Sequence, residues 1–118
     1  MKKKILVCDD EEGIRESVKL ILEKEFELLF ASNGREALGI AKAEPFDIAI
    51  MDIKMPRMDG IETLRKLKEL RPDAKVLVSS GYKSVETARE AVAAGASNYI
   101  VKPFSRAELL SAVRKLLR

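Results

Sequence analysis

Residues 5–13 read ILVCDDEEG, an apolar run that ends abruptly in four acidic residues and a glycine. Four consecutive apolar residues bounded by polar ones are typical of a buried strand. Because adjacent like charges repel, Asp9 and Asp10 indicate either a solvated turn or a place where a positive group binds. Which of the two applies depends on what the folded chain brings to the end of this strand.

The composition is that of one globular domain, and we expect a single domain over residues 1–118. The chain is 47% hydrophobic and 35% charged, and its length is sufficient to bury a core. No apolar stretch is long enough to span a membrane, and no signal-peptide pattern precedes the first strand, so we expect no membrane association. The single cysteine, Cys8, cannot form an internal disulfide, which favours a reducing, cytoplasmic location.

The charged residues also exclude some function classes. Histidine is absent, which removes every mechanism that needs an imidazole base or ligand. The formal net charge is only +3. Basic residues alternate with acidic ones on helical patterns, which predicts solvated helix faces rather than a surface that binds nucleic acid directly.

Short apolar runs recur along the chain, separated by amphipathic helical patterns such as Ile14, Val18 and Leu22. The runs are continuous rather than alternating, as expected for parallel strands covered on both faces; they are 5–8, 28–31, 48–51, 76–78 and 99–101. Alternating strands and helices predict the α/β class. Specifically, we expect a flavodoxin-like doubly wound five-stranded parallel sheet with order 2-1-3-4-5 and five helices.

Ligands of this fold bind in a crevice at the carboxyl ends of the first and third strands. Asp9 and Asp10 follow the first predicted strand, and Asp52 follows the third. Three clustered carboxylates repel each other unless a cation compensates their charge. Hard oxygen ligands without histidine or cysteine favour Mg²⁺.

The fourth and fifth predicted strands contribute other polar groups to the same edge of the sheet. The fourth ends in Ser79 and Ser80, and the fifth is followed by Lys102. A carboxylate nucleophile, a metal, a hydroxyl group and an ammonium group together suit phosphoryl transfer. The sequence contains no glycine loop of the kind that cradles phosphates, so nucleotide binding is not indicated.

Four motifs occur in order at the predicted strand ends: VCDDEE (7–12), MDIKMPRMDG (51–60), VLVSSGY (76–82) and GASNYIVKPF (95–104). By these motifs the chain resembles, from end to end, a response-regulator receiver domain of the chemotaxis-receiver-like family in two-component signalling. The resemblance implies that Asp52 accepts a phosphoryl group from the phosphohistidine of a sensor histidine kinase or phosphotransfer protein.

The same resemblance implies a role for each residue of the crevice. Asp52 and Asp10 would bind Mg²⁺ directly and Asp9 mainly through a water molecule, while the Lys54 carbonyl would complete the protein ligands. Lys102 would pair with the phosphoryl oxygens.

The resemblance also implies a conformational switch. Counting back from KPF, the switch hydroxyl would be Ser80 rather than Ser79, and the switch aromatic would be Tyr99. The signal would reach an output domain or effector protein through helix 4, strand 5 and helix 5. Such a module would be no enzyme beyond catalysing its own phosphorylation and dephosphorylation.

Other interpretations of these residues stay open on the sequence alone. An Asp-Asp pair after a strand also suits a helix N-terminus, where acids interact favourably with the helix dipole. The chain could be an inactive receiver-like binding module, although it retains every expected site position. A metal-dependent phosphatase with an Asp nucleophile is the less favoured alternative. Such enzymes usually place a second acid two residues after the nucleophile on the first strand, whereas Asp9 and Asp10 are adjacent.

Overall fold

A computed structural model of the protein describes residues 2–55, 58–81 and 85–118, with the backbone alone for 54–55 and 58–59. Its central sheet has five parallel strands: β1 (Lys4–Cys8), β2 (Glu27–Ala31), β3 (Ile48–Met51), β4 (Lys75–Ser80) and β5 (Asn98–Val101). The strands are ordered β2-β1-β3-β4-β5, which confirms the predicted 2-1-3-4-5 topology. Two-residue strands at Lys54–Met55 and Met58–Asp59 form a separate antiparallel pair.

The helices alternate with the strands of the sheet. They are α1 (Glu12–Leu22), α2 (Gly34–Ala43), α3 (Gly60–Leu70), α4 (Val85–Ala93) and α5 (Arg106–Leu116). Every apolar run identified in the sequence lies inside one of the five strands, so the predicted fold class is confirmed. Within the described ranges, none of the helices has the length and apolar composition needed to cross a membrane.

The apolar runs are continuous because both faces of the sheet are covered. On one side, which we call the α1–α5 face, Ile5 and Val7 of β1 pack in a cluster with buried residues of α1 and α5. On the other side, the α2–α3–α4 face, Leu6 and Cys8 pack with buried residues of α2, α3 and α4. Successive side chains of a strand point to opposite faces, so each strand contributes to both clusters.

Local sequence signals explain where two of the helices begin. Ser105 and Glu108 form a capping box at the start of α5, with reciprocal bonds of 3.1 and 3.0 Å. The Asn33 side chain accepts a hydrogen bond from the Glu36 backbone N–H at the start of α2. Asp59 with Glu62 three residues later has the sequence pattern of a capping box, but the Asp59 side chain lies outside the described residues.

Candidate functional site

Backbone hydrogen bonds hold the residues that follow three of the strands in fixed positions. The Asp9 N–H donates to the Ala31 carbonyl at 3.1 Å, and the Asp52 N–H donates to the Cys8 carbonyl at 3.0 Å. The Lys102 N–H donates to the Ser80 carbonyl at 2.9 Å. The sheet ladder therefore continues one residue beyond these strand ends and sets where their first polar side chains lie.

Lys102 connects two buried carboxylates at this edge. Its Nζ lies 2.7 Å from Asp9 Oδ2 and 2.9 Å from Asp52 Oδ2. The side chains are only 11%, 4% and 6% exposed for Lys102, Asp9 and Asp52 respectively, so water screens the interaction weakly. The Lys102–Pro103 peptide bond that follows is cis, as X-Pro bonds in tight loops can be. The ammonium group is thus the counter-ion of both carboxylates.

Burial and pairing act in opposite directions on the pKa values of these groups. Burial raises the pKa of Asp9, and this outweighs the hydrogen bonds from Lys102 and from the Glu11 N–H, which lower it. Burial would lower the pKa of Lys102, but the hydrogen bonds to Asp9 and Asp52 outweigh burial, so the net shift is upward. The charged form of Lys102 is therefore favoured, whereas burial opposes the ionisation of Asp9.

The carboxylates of Asp9, Asp10, Glu11 and Asp52 each offer an oxygen, and these oxygens lie within 4.8 Å of one another. Four carboxylates against the one ammonium group of Lys102 leave a formal excess of three negative charges (4 − 1 = 3). Oxygen donors of this kind, in a cluster that is short of positive charge, fit a hard divalent cation such as Mg²⁺. The Asp9 and Asp10 pair is thus part of a convergent acidic site rather than an isolated solvated turn.

A model of the response regulator receiver domain matches residues 5–114 of the chain. The chain belongs to this family. Members are the phosphoacceptor modules of two-component signalling: they receive a phosphoryl group from histidine kinases and act on output domains. The predicted resemblance is therefore confirmed.

The similarity to individual relatives extends over the whole receiver. Transcriptional regulatory protein SrrA of Staphylococcus aureus is 41% identical over 120 residues, which cover 100% of this chain and 49% of SrrA. The receiver therefore spans about half the length of that protein. Chemotaxis protein CheY4 of Vibrio cholerae superposes with a TM-score of 0.93 at 32% identity, covering 98% of this chain and 99% of that one.

A third relative carries a modification in its crystal structure. It is a response regulator from Burkholderia pseudomallei, solved with a phosphorylated aspartic acid, a calcium ion and citrate. It superposes on the receiver with a TM-score of 0.88 at 37% identity, covering 94% of this chain and 66% of that one.

Two residues of the receiver's acidic edge escaped the sequence interpretation. Glu11 Oε1 lies 3.8 Å from Lys102 Nζ, and Glu11 is the fourth member of the acidic cluster. The position of Glu11 directly after Asp10 was the sequence signal that could have placed it in the cluster. Arg15 Nη1 donates to the Asp9 carbonyl at 2.7 Å and so braces the loop between β1 and α1. No spacing pattern in the sequence indicated Arg15, because its contact is with a backbone carbonyl of the preceding loop.

The predicted site residues of the receiver divide into two groups. The structure brings Asp9, Asp10, Asp52 and Lys102 together. Ser80 is fully buried at the end of β4, where it is in register with Val101 of β5.

Two further residues with predicted roles lie outside this group. Tyr99 of β5 is half-buried and packs against the cluster on the α2–α3–α4 face. The Lys54 side chain lies outside the described residues, and the metal role of the Lys54 carbonyl stays a prediction.

Cys8 immediately precedes the acidic pair but takes no part in the acidic cluster. Its thiol is buried, and it points to the α2–α3–α4 face. Burial raises the pKa of Cys8 to about 12, and the neighbouring carboxylates raise it in the same direction. The thiol is therefore protonated and inert near neutral pH.

Proposed function

We propose that residues 1–118 form one receiver domain in which Asp52 accepts a phosphoryl group from a histidine kinase or phosphotransfer protein, with Mg²⁺ as cofactor. The observation that carries this proposal is the position of Asp52. Its carboxylate lies at the end of the central strand β3, is buried, and shares the Lys102 ammonium with Asp9. A buried carboxylate beside a fixed positive charge and further acids is suited to a nucleophile for phosphoryl transfer.

In the proposed reaction an Asp52 carboxylate oxygen attacks the phosphorus atom of the donor. The new O–P bond forms as the N–P bond of the phosphohistidine breaks, and the electron pair of that bond stays on the imidazole nitrogen, which takes up a proton. The Asp52 carboxylate becomes a mixed anhydride. Lys102, already 2.9 Å from Asp52 Oδ2, is positioned to hold an oxygen of the transferred group.

Asp10 and Asp52 would bind Mg²⁺ directly, Asp9 through a water molecule, and Lys54 through its backbone carbonyl. The ion would neutralise charge on the phosphoryl oxygens during transfer. The excess of acidic groups over Lys102 supports a divalent cation at this position. The choice of Mg²⁺ over Ca²⁺ rests on its preference for few carboxylates, water and phosphate oxygens.

The proposed output is a change at the surface formed by α4, β5 and α5. Ser80 would donate a hydrogen bond to a phosphoryl oxygen, and Tyr99 would move toward the space that Ser80 leaves. A groove on α4 supports this surface as a partner site: Val85 and Val92 are 66% and 60% exposed there. We propose an output domain or effector protein as the partner, a cytoplasmic location, and no direct contact with nucleic acid.

Intact-mass spectrometry after treatment with acetyl phosphate tests the phosphoacceptor assignment. In Mg²⁺, wild type should gain one phosphoryl group that hydroxylamine removes, and in EDTA it should gain none. Asp52→Asn should gain none, while Asp73→Asn, a change at an exposed loop residue, should behave as wild type. Full labelling of Asp52→Asn would show that a residue other than Asp52 is the nucleophile. An unlabelled wild type would instead indicate an inactive receiver-like module.

A further inference from the structure

Ser79 carries a buried hydroxyl group that the proposed reaction does not use. The residue is 2% exposed, and among the described residues its Oγ has no hydrogen-bond partner. An unpaired buried hydroxyl destabilises a fold, and most buried polar side chains are paired. The unpaired hydroxyl of Ser79 therefore needs a physical explanation.

The strand register places Ser79 beside the acidic site. Met51 of β3 is in register with Val78 of β4, so Asp52 and Ser79 each lie one residue beyond that pair. On its other side Ser79 is in register with Ile100 of β5.

The two serines of β4 point to opposite sides of the sheet. Leu77 belongs to the cluster on the α1–α5 face, and alternation along the strand directs Ser79 to that face as well. Val78 belongs to the cluster on the α2–α3–α4 face, so Ser80 points there. The hydroxyls of Ser79 and Ser80 therefore cannot substitute for each other.

The path of the Lys102 side chain crosses this position. Lys102 follows β5, Asp52 follows β3, and β4 lies between those strands, so the lysine stem passes over the end of β4 to reach Asp52. The Lys102 N–H donates to the Ser80 carbonyl, so the strand geometry extends to Lys102. Because side chains alternate along a strand, Lys102 lies on the same side of the sheet as Ile100, which belongs to the cluster on the α1–α5 face. Ser79 points to that same face. Its hydroxyl therefore lies on the side of the sheet that the lysine stem crosses.

We propose that Ser79 Oγ is the acceptor to which the Lys102 ammonium moves when a divalent cation takes over Asp9 and Asp52. This inference rests on the proposed Mg²⁺-dependent function. The ammonium and the cation compete for the same two carboxylates, because Lys102 already bonds Asp9 Oδ2 and Asp52 Oδ2. Because few water molecules reach the buried ammonium group, it needs another hydrogen-bond acceptor once the cation displaces it. Ser79 is the hydroxyl that the described structure leaves available on that face.

Ser79 is thus a positioning residue that acts through Lys102. Its hydrogen bond would form only in the cation-loaded state, which explains why the hydroxyl is unpaired when Lys102 bridges the two aspartates. It would also keep the ammonium close to Asp52, where a phosphoryl group arrives.

The isosteric pair Ser79→Thr and Ser79→Val tests this role. Both substitutions add the same bulk, but only Thr keeps a hydroxyl. Calorimetric titration with MgCl₂ should give a dissociation constant about tenfold higher for Ser79→Val than for Ser79→Thr, as expected for loss of one hydrogen bond to a charged group. Ser79→Ala, which adds no bulk, should match Ser79→Val even if the larger residues disturb packing.

Unfolding by urea supplies the second readout. In EDTA, Ser79→Ala should be at least as stable as wild type, because removing an unpaired hydroxyl costs nothing, whereas its gain in stability from Mg²⁺ should be smaller. Equal Mg²⁺ affinities for wild type, Ser79→Ala and the isosteric pair would overturn the Ser79 role alone. A wild type that binds no Mg²⁺ would overturn both this inference and the proposed cofactor.

Discussion

Replacing Lys102 by methionine should expose how strongly the acidic edge depends on one ammonium group. The change keeps most of the apolar stem but leaves Asp9 and Asp52, with side chains 4% and 6% exposed, without their shared partner. Removing one member of a buried ion pair typically destabilises a protein by about 3–5 kcal/mol. We expect a loss of about 3 kcal/mol near neutral pH in EDTA, at the lower end because one carboxyl can take up a proton.

The pH dependence of that loss follows from the pKa of Asp9. Burial already raises this pKa, and losing the ammonium removes the interactions that lower it. A carboxyl whose folded pKa exceeds its unfolded value contributes stability that is present below the unfolded pKa and disappears as pH rises through the folded pKa. The deficit of Lys102→Met should therefore shrink as pH falls, by up to about 1.4 kcal/mol per pH unit for one carboxyl.

Urea unfolding in EDTA and in Mg²⁺, at several pH values, measures these effects. Lys42→Met, a change at an exposed lysine of α2, is the matched control and should stay within about 0.5 kcal/mol of wild type. Lys102→Met should also gain more stability from Mg²⁺ than wild type, since the ion no longer competes with an ammonium group. If Lys102→Met is no less stable than Lys42→Met, the bridge contributes nothing and the reasoning is wrong.

Two further changes separate metal binding from switching. Asp10→Asn should raise the free energy of unfolding in EDTA by about 1 kcal/mol, because it relieves repulsion among the carboxylates. It should also remove most of the stability that wild type gains from Mg²⁺. Equal destabilisation in both buffers would instead assign Asp10 a capping role. Ser80→Ala should still be phosphorylated on Asp52. The NMR shifts that beryllofluoride induces at Tyr99 and in α4 and α5 should weaken, because the lost hydrogen bond to a charged group contributes about 1.5–3 kcal/mol to the switched state. A complete wild-type shift pattern in Ser80→Ala would show that another residue couples the site to that surface.

The fold was predictable because its signals are local and mutually consistent. Continuous apolar runs such as 48–51 form the five strands, and the capping box of Ser105 and Glu108 marks the start of α5. Both signals depend only on residues close together in the chain. The order of the strands then followed from rules about how parallel sheets are connected.

The site was only partly predictable, because burial and pairing depend on neighbours from other strands. Asp9 and Asp10 are chemically identical and adjacent, yet Asp9 is 3% exposed whereas Asp10 is an exposed residue. The resemblance assigned the two residues different metal roles, but their difference in burial arises from which carboxylate the backbone directs toward Lys102. Glu11 is a similar case: its approach to the cluster depends on the turn that leads into α1.

The sequence by itself determined the class of fold, the family and the edge of the sheet at which the acids gather, because parallel strands bring their carboxyl ends to one edge. Only the tertiary structure decided how those acids are neutralised. The Lys102 ammonium meets Asp9 across 93 residues of chain and Asp52 across 50. It also decided that Ser79, one residue from the predicted switch Ser80, is buried with an unpaired hydroxyl in the described structure. Contacts of this kind depend on which residues of neighbouring strands lie opposite one another, and local patterns in a sequence do not contain that information.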